Sequence, residues 1–355
     1  MNPLNQENQQ QQHYSTEHLG QLPRTFAEAV TTVKNFALQE FDKEIAQKQL
    51  YYHTRDHVNG VQRRADMIFQ VIRPYWEASL DSDIASDYVT RMKLLLDLCA
   101  IAHDMIQLFI LQTEPHTSRR RERGASEAAT INRLIDYIKQ LNQRLHEHSP
   151  ESPALFTGSD LHIIREAIEV TNCSFDPKER AIYQPDLYEP DKHLSLVARM
   201  IALADIGALA IEGVEVYNWE GSLHLLEDNP DILPLILNRD LQNLGSKNLE
   251  VYENIRQRLL RRARFQVNFA KSRFARYPRE VEGLPVDAIP ILTNDVFKYL
   301  TQEKIQEIEL TTPTNEDTTL DELIEFFELD KYINQLNITL NYRQSRTGLN
   351  NCLDN

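Results

Sequence analysis

Apolar residues recur every three or four positions over most of the chain, the pattern of helices that bury one face. In PRTFAEAVTTVKNFALQEF, from about Leu22, the stripe is Phe26, Val30, Val33, Phe36 and Ala37. In YYHTRDHVNGVQRRADMIFQVI it is His57, Val61, Ala65, Ile68 and Ile72. A third helix is predicted from about Ile84 to Ile106, with Val89, Met92, Leu95, Leu96, Cys99, Ala102 and Ile106 inward. After an Arg-rich loop, Ser126 is a candidate N-cap for EAATINRLIDYIKQLNQRL, whose inward set is Ala128, Ile131, Leu134, Ile135, Ile138 and Leu141. HEHSPESPALFTGS reads as a linker, LHIIREAIEVTN as a helix, and the Pro- and Tyr-containing stretch to about Asp191 as a loop. LSLVARMIALADIGALAIEG and the long basic segment KNLEVYENIRQRLLRRARFQVNFAKSRFARY are predicted helical, as are stretches near 289–308 and 319–336. No run alternates as a half-buried strand does, and no repeat is visible. The expected fold class is all-α.

The first 20 residues are Gln/Asn-rich and lack hydrophobic period, so a disordered arm is expected there, with a loose tail at 339–355. No basic segment followed by an apolar one opens the chain, so no secretory signal is expected. The most apolar stretch, LSLVARMIALADIGALAI, carries Arg199 and Asp205, charges that a lone membrane span would hold at a cost of several kcal/mol. A buried helix of a water-soluble domain is the simpler expectation.

Composition narrows the function. Lys and Arg number 38 against 53 Asp and Glu, a net charge of −15, which argues against general binding of nucleic acid or anionic membranes. Glycine is scarce, at 10 in 355 residues, and no GxGxxG or GxxxxGK[ST] phosphate loop occurs. The three cysteines, Cys99, Cys173 and Cys352, are too few and too scattered for a disulfide framework or a CxxC zinc site, so a reducing, cytoplasmic location is expected.

Four pieces carry candidate chemistry: His53 and His57, spaced i and i+4; the doublet His103-Asp104 at the end of an apolar helix; Glu127 in the first turn of the next helix; and Asp205 within an apolar run. Each alone has a packing explanation. An isolated buried carboxylate, however, costs several kcal/mol and must find a partner. Arg199 lies six residues before Asp205, about 120° round a helix, and is badly placed to be that partner. Two His and two Asp on three apolar helices form a mixed nitrogen and oxygen donor set suited to a divalent cation. One cation would account for several residues that are otherwise costly to bury.

Three motifs, YHTRDHVNGV (52–61), AIAHDMI (100–106) and MIALADIGAL (200–209), resemble the H…HD…D pattern of the HD-domain metal-dependent phosphohydrolase superfamily. The first also resembles the YHNxxHxxxV motif of class I cyclic nucleotide phosphodiesterases. GASEAATI and IREAIEVTN resemble the intervening helices, so that the likeness spans roughly 48–215. It implies an HD-type hydrolase core at 21–225, with a helical extension at 226–338 packing on it. It also implies a metal ion (Mn, Mg, Fe, Ni or Zn) held by His57, His103, Asp104 and Asp205. His53 would protonate the leaving oxygen, and Asp104 would serve catalysis as well as ligation. The substrate would be a small phosphorylated compound, nucleotide-like or otherwise. The chain departs from the pattern at Thr54, in place of the usual Asn, and at Met105, Ile106 and Gln107, which exclude the HDxGK form of the cyclic-di-GMP hydrolases.

Arg119, Arg120, Arg121 and Arg123 follow the doublet and are candidates to reach substrate phosphate, although a charged run is more often a solvated loop. Glu127 is a candidate to support the site from behind its ligands or simply to stabilise its helix N-terminus. His116, His146, His148 and His162 are weaker candidates for a second metal. The alternative to a phosphohydrolase is an HD-type module that binds a metal or nucleotide for signalling without turnover.

Overall fold

A computed structural model describes residues 22–189, 192–237, 248–329 and 331. The expected disordered arm and loose tail lie outside the described residues. Within them the chain is all-α but for one small hairpin. Helices α1 (Phe26–Lys48), α2 (Arg55–Ala78), α3 (Ser82–Ala102), α4 (Ala125–His148) and α5 (Gly158–Glu169) come first. Strands β1 (Ser174–Asp176) and β2 (Ala181–Tyr183) pair antiparallel, with Phe175 opposite Ile182. Helices α6 (Leu196–Asp205), α7 (Val214–Asp228), α8 (Ile232–Leu237), α9 (Leu249–Glu280), α10 (Gln302–Thr311) and α11 (Leu320–Phe326) follow. No helix among the described residues is long and apolar enough to cross a membrane.

Local sequence sets the helix starts. Thr25, Ser195 and Thr301 each accept a backbone N–H in the first turn, and Thr157 with Asp160 closes a reciprocal capping box. The apolar stripe of α2 (Val58, Val61, Ala65, Ile68, Phe69, Ile72) is buried as its spacing predicts, each large side chain contributing about 1.5–3 kcal/mol. Helix α6 is buried nearly all round: Val197, Ala198, Met200, Ile201, Ala202, Leu203 and Ala204 pack among α2, α3 and α5. Its alanines let those neighbours approach closely. Arg199 turns outward and donates to the Glu282 carbonyl at 2.5 Å.

Three local expectations are corrected. Ser126 does not cap α4: Gly124, at φ 75°, is the N-cap, and the Ser126 hydroxyl instead accepts the Leu108 N–H at 3.0 Å. Ala128 faces solvent, and Thr130 takes the inward position, its hydroxyl accepting the Ile106 N–H. The run LSLVARMIALADIGALAIEG is not one helix. It ends at Asp205, passes Gly207, and continues as a single wide turn, Ala208–Glu212, before α7.

Gly207 makes that break possible. A Cβ there would lie 2.8 Å from the Leu203 carbonyl and 2.9 Å from that of Ala204, both backbone atoms. Gly207→Ala is expected to destabilise the protein by about 1–3 kcal/mol, as overpacking of a closed site does. Urea unfolding checks this, and an unchanged midpoint contradicts it.

The core has two clusters. The larger unites α1–α6 with Val267, Ala270, Leu292, Ile305 and Ile308; the smaller joins Leu225, Leu226, Ile232, Leu259, Leu260 and Leu323. Between them, buried Arg64 of α2 pairs with Glu212 and Glu220, fixing α7 against α2. Burial disfavours the Arg64 charge, but the two carboxylates more than offset it and raise its pKa.

Candidate metal centre and its cavity

The ends of α2, α3 and α6 meet at one point. His57 stands in the first turn of α2, His103 caps the C-terminus of α3 with Asp104 next to it, and Asp205 is the last residue of α6. One donor atom from each of these four residues lies within 4.8 Å of the other three. The Asp104 Oδ2 atom is 3.0 Å from His103 Nε2 and 3.2 Å from His57 Nε2. The Asp205 Oδ1 atom is 3.5 Å and 3.7 Å from the same two nitrogens. Both Nε2 atoms are buried, and neither has a hydrogen-bond partner.

The surroundings orient the donors. His103 Nδ1 donates to the Ala100 carbonyl at 3.0 Å, which turns Nε2 toward the centre. Gln107 Nε2 donates to Asp104 Oδ1 at 3.1 Å, and Gln184 Nε2 to Asp205 Oδ2 at 3.1 Å. In each carboxylate one oxygen is thus anchored and the other left for the cluster. Burial disfavours charge on His103, yet Asp104 and Asp205 override it and hold its pKa well above the ordinary imidazole value. Burial likewise opposes the Asp104 charge, and His103 and His53 overcome it to hold the carboxyl well below its usual range. This pocket demands positive charge. The orphaned imidazole nitrogens and the half-free carboxylates fit a divalent cation, and the group can hold one.

His53 stands beside the four. Its Nε2 faces Asp104 Oδ2 at 3.6 Å, and its Nδ1 lies 2.5 Å from Glu227 Oε1. Glu227, fully buried near the end of α7, also accepts the backbone N–H groups of Tyr51, Tyr52 and His53 on its other oxygen, each at 3.0 Å. Arg121 donates to Glu227 Oε1 at 2.5 Å. Burial works against the Glu227 charge, but His53 and Arg121 prevail and bring its pKa to about 2, from 4.5.

Because the folded value is the lower one, Glu227 stabilises the fold fully above pH 4.5 and loses that contribution as pH falls toward about 2. Glu227→Gln is expected to cost roughly 3 kcal/mol near neutral pH and to flatten the acid side of the stability profile. Urea unfolding from pH 7 to pH 3 checks both, and parallel wild-type and variant profiles contradict the role.

These residues open on a cavity of about 550 Å³, within the size range of small-molecule sites. Its polar wall includes His53, Asp104, Asp205, Arg121, Arg123 and Glu127; Phe175, Ile182, Tyr217, Phe265 and Phe269 give it an apolar side. Burial, reinforced by Asp104 and Asp205, raises the Glu127 pKa against its own backbone hydrogen bond. Of the candidate arginines, Arg121 and Arg123 line this cavity. Arg119 is tied to the Lys48 carbonyl at 2.7 Å, and Arg120 is exposed outside the cavity wall. His116 pairs with Asp231, and among the described residues no further group of His, Cys, Asp and Glu is gathered as the four are. Cys99 and Cys173 are unpaired thiols.

Sequence reasoning missed Glu227, Gln184, Gln107 and His224. The His224 ring stacks on Tyr52 at 3.8 Å, lines the cavity, and is kept neutral by burial, assisted by Arg262. Gln184 directly follows β2, so the hairpin read as a loop is what delivers the Asp205 anchor. Only the spacing of His224 and Glu227, i and i+3 on one helix, offered a local signal. Comparison with protein-family models, with curated proteins and with solved structures gives no match to this chain.

Proposed function

We propose that the protein is a metal-dependent phosphohydrolase of the HD type, acting on a small phosphoester. The observation that carries this reading is the meeting of four donors from three helix ends, with a separately held imidazole beside them in the wall of a cavity. A divalent cation held by His57, His103, Asp104 and Asp205 would supply Lewis acidity to a phosphoryl oxygen and to water. The protein's own groups do the rest. Glu227, as carboxylate, accepts the Nδ1–H hydrogen bond of His53 and so directs its Nε2 toward the centre. In the imidazolium form, Nε2–H donates to the departing oxygen, the work of a general acid. Arg123, which makes no ion pair among the described residues, and Arg121 provide guanidinium groups for the phosphate. The apolar side of the cavity takes the organic part of the ester and keeps bulk water away from it.

The test is turnover. Purified protein supplied with Mn²⁺, Mg²⁺, Fe²⁺, Ni²⁺ or Zn²⁺ is expected to cleave p-nitrophenyl phosphate or bis-p-nitrophenyl phosphate. Stoichiometric metal without cleavage of either, by any of these ions, would leave a metal-binding module and remove the enzymatic reading.

A further inference from the structure

A second cavity, of about 600 Å³, shares Phe175, Asp228, Arg262 and Phe265 with the first. Five arginines line it: Arg180, Arg258, Arg261, Arg262 and Arg264. Their pairing is uneven. Along α9, Arg256 meets Glu253, Arg258 meets Asp231, Arg264 meets Glu316, Arg273 meets Glu280, and Arg276 meets Asp176 and Glu179. Arg261 and Arg262, adjacent on the same helix, form no ion pair among the described residues, and neither does Arg180 in the turn between β1 and β2. Arg262 does donate to the Gly221 carbonyl at 3.2 Å, and its guanidinium sits 5.0 Å over the Phe265 ring. Burial weakens its charged form, and Asp228 only partly compensates. In a chain of net charge −15 that matches most of its α9 cations, three unmatched guanidiniums around one cavity are a site for anions.

The geometry points to a substrate with two anionic groups: a phosphoester at the metal centre and a second phosphate or carboxylate at Arg180, Arg261 and Arg262. The portion between them would lie against Phe175 and Phe265, the aromatic walls common to both cavities. This assignment of substrate class rests on the phosphohydrolase reading for its inner end. The acidic balance of the chain, with a net charge of −15, favours a small dianion over a nucleic acid strand.

The test compares adenosine 3′,5′-bisphosphate with p-nitrophenyl phosphate, using metal-loaded full-length protein and its Arg180→Ala/Arg261→Ala variant. Both positions are exposed, so the fold is expected to survive. The expected result is a KM and a calorimetric Kd for the bisphosphate that rise by roughly tenfold more than the values for the monoester. Lys271→Ala, which removes one cation paired to Glu309 elsewhere on α9, is expected to shift neither. Equal bisphosphate affinity in wild type and double variant overturns the subsite. So does an oligonucleotide that binds far more tightly than the bisphosphate and loses its affinity in the same variant. Calorimetric binding does not depend on turnover. Arginine-dependent binding with no hydrolysis of either ester therefore keeps the anion site and removes the phosphohydrolase reading alone.

Discussion

Asp104→Asn is expected to abolish both metal binding and turnover. The Asp104 Oδ2 atom lies within 3.2 Å of both ligand imidazole nitrogens and 3.6 Å from His53, so it is the point on which the centre converges. Asparagine keeps the shape of the side chain, but it removes the negative charge and offers a weaker donor. Substituting residues that merely support metal ligands typically costs about 10–100-fold in affinity, so loss of a central ligand should reach at least the top of that range. Metal content after equilibrium dialysis reads the first effect, and p-nitrophenyl phosphate cleavage the second. The thermal stabilisation that added metal confers on the wild type should vanish in the variant, because an ion bound only by the folded state adds to folding stability. A variant that retains stoichiometric metal excludes Asp104 from the ligand set.

His53→Ala is expected to behave differently. Its Nε2 faces the centre, but His53 is not one of the four converging donors. Metal content should stay near the wild-type level while kcat falls by about 10²–10⁴-fold, the usual contribution of a positioned general acid. The loss should depend on the leaving group. A p-nitrophenolate departs without much help from a proton, whereas an alkoxide needs one, so alkyl phosphoesters should lose more rate than nitrophenyl esters. Equal losses for both classes of ester would make His53 a structural residue, and loss of the metal would make it a ligand.

The residues that matter most to this centre were legible because their chemistry is unusual in its setting. A His-Asp doublet closing an apolar helix and an aspartate in an apolar run are costly unless something satisfies them, and that cost showed in the composition of each segment. The helical class was legible for the same periodic reason that buries Val58, Val61 and Ile68 of α2 on one side. What supports the ligands was not legible. Glu227 is 174 residues from the His53 backbone and side chain it holds, and nothing in the sequence around it in α7 points to that contact. Gln184 is a neutral residue after a three-residue strand, too short for alternation to register. The break after Asp205 depends on how close the Leu203 and Ala204 carbonyls come to Gly207, a fact of the folded backbone. The run of arginines after the doublet gave charge but no direction: Arg121 and Arg123 turn into the cavity, whereas Arg119 is spent on Lys48.

The claim that three helix ends create one cation site is tested most directly by anomalous diffraction from crystals grown with Mn²⁺ or Zn²⁺. The expected result is an anomalous peak within bonding distance of His57 Nε2, His103 Nε2, an Asp104 oxygen and an Asp205 oxygen, lost in Asp104→Asn crystals grown the same way. A clean map at saturating metal with no peak among these four residues, or with its peak elsewhere, contradicts it.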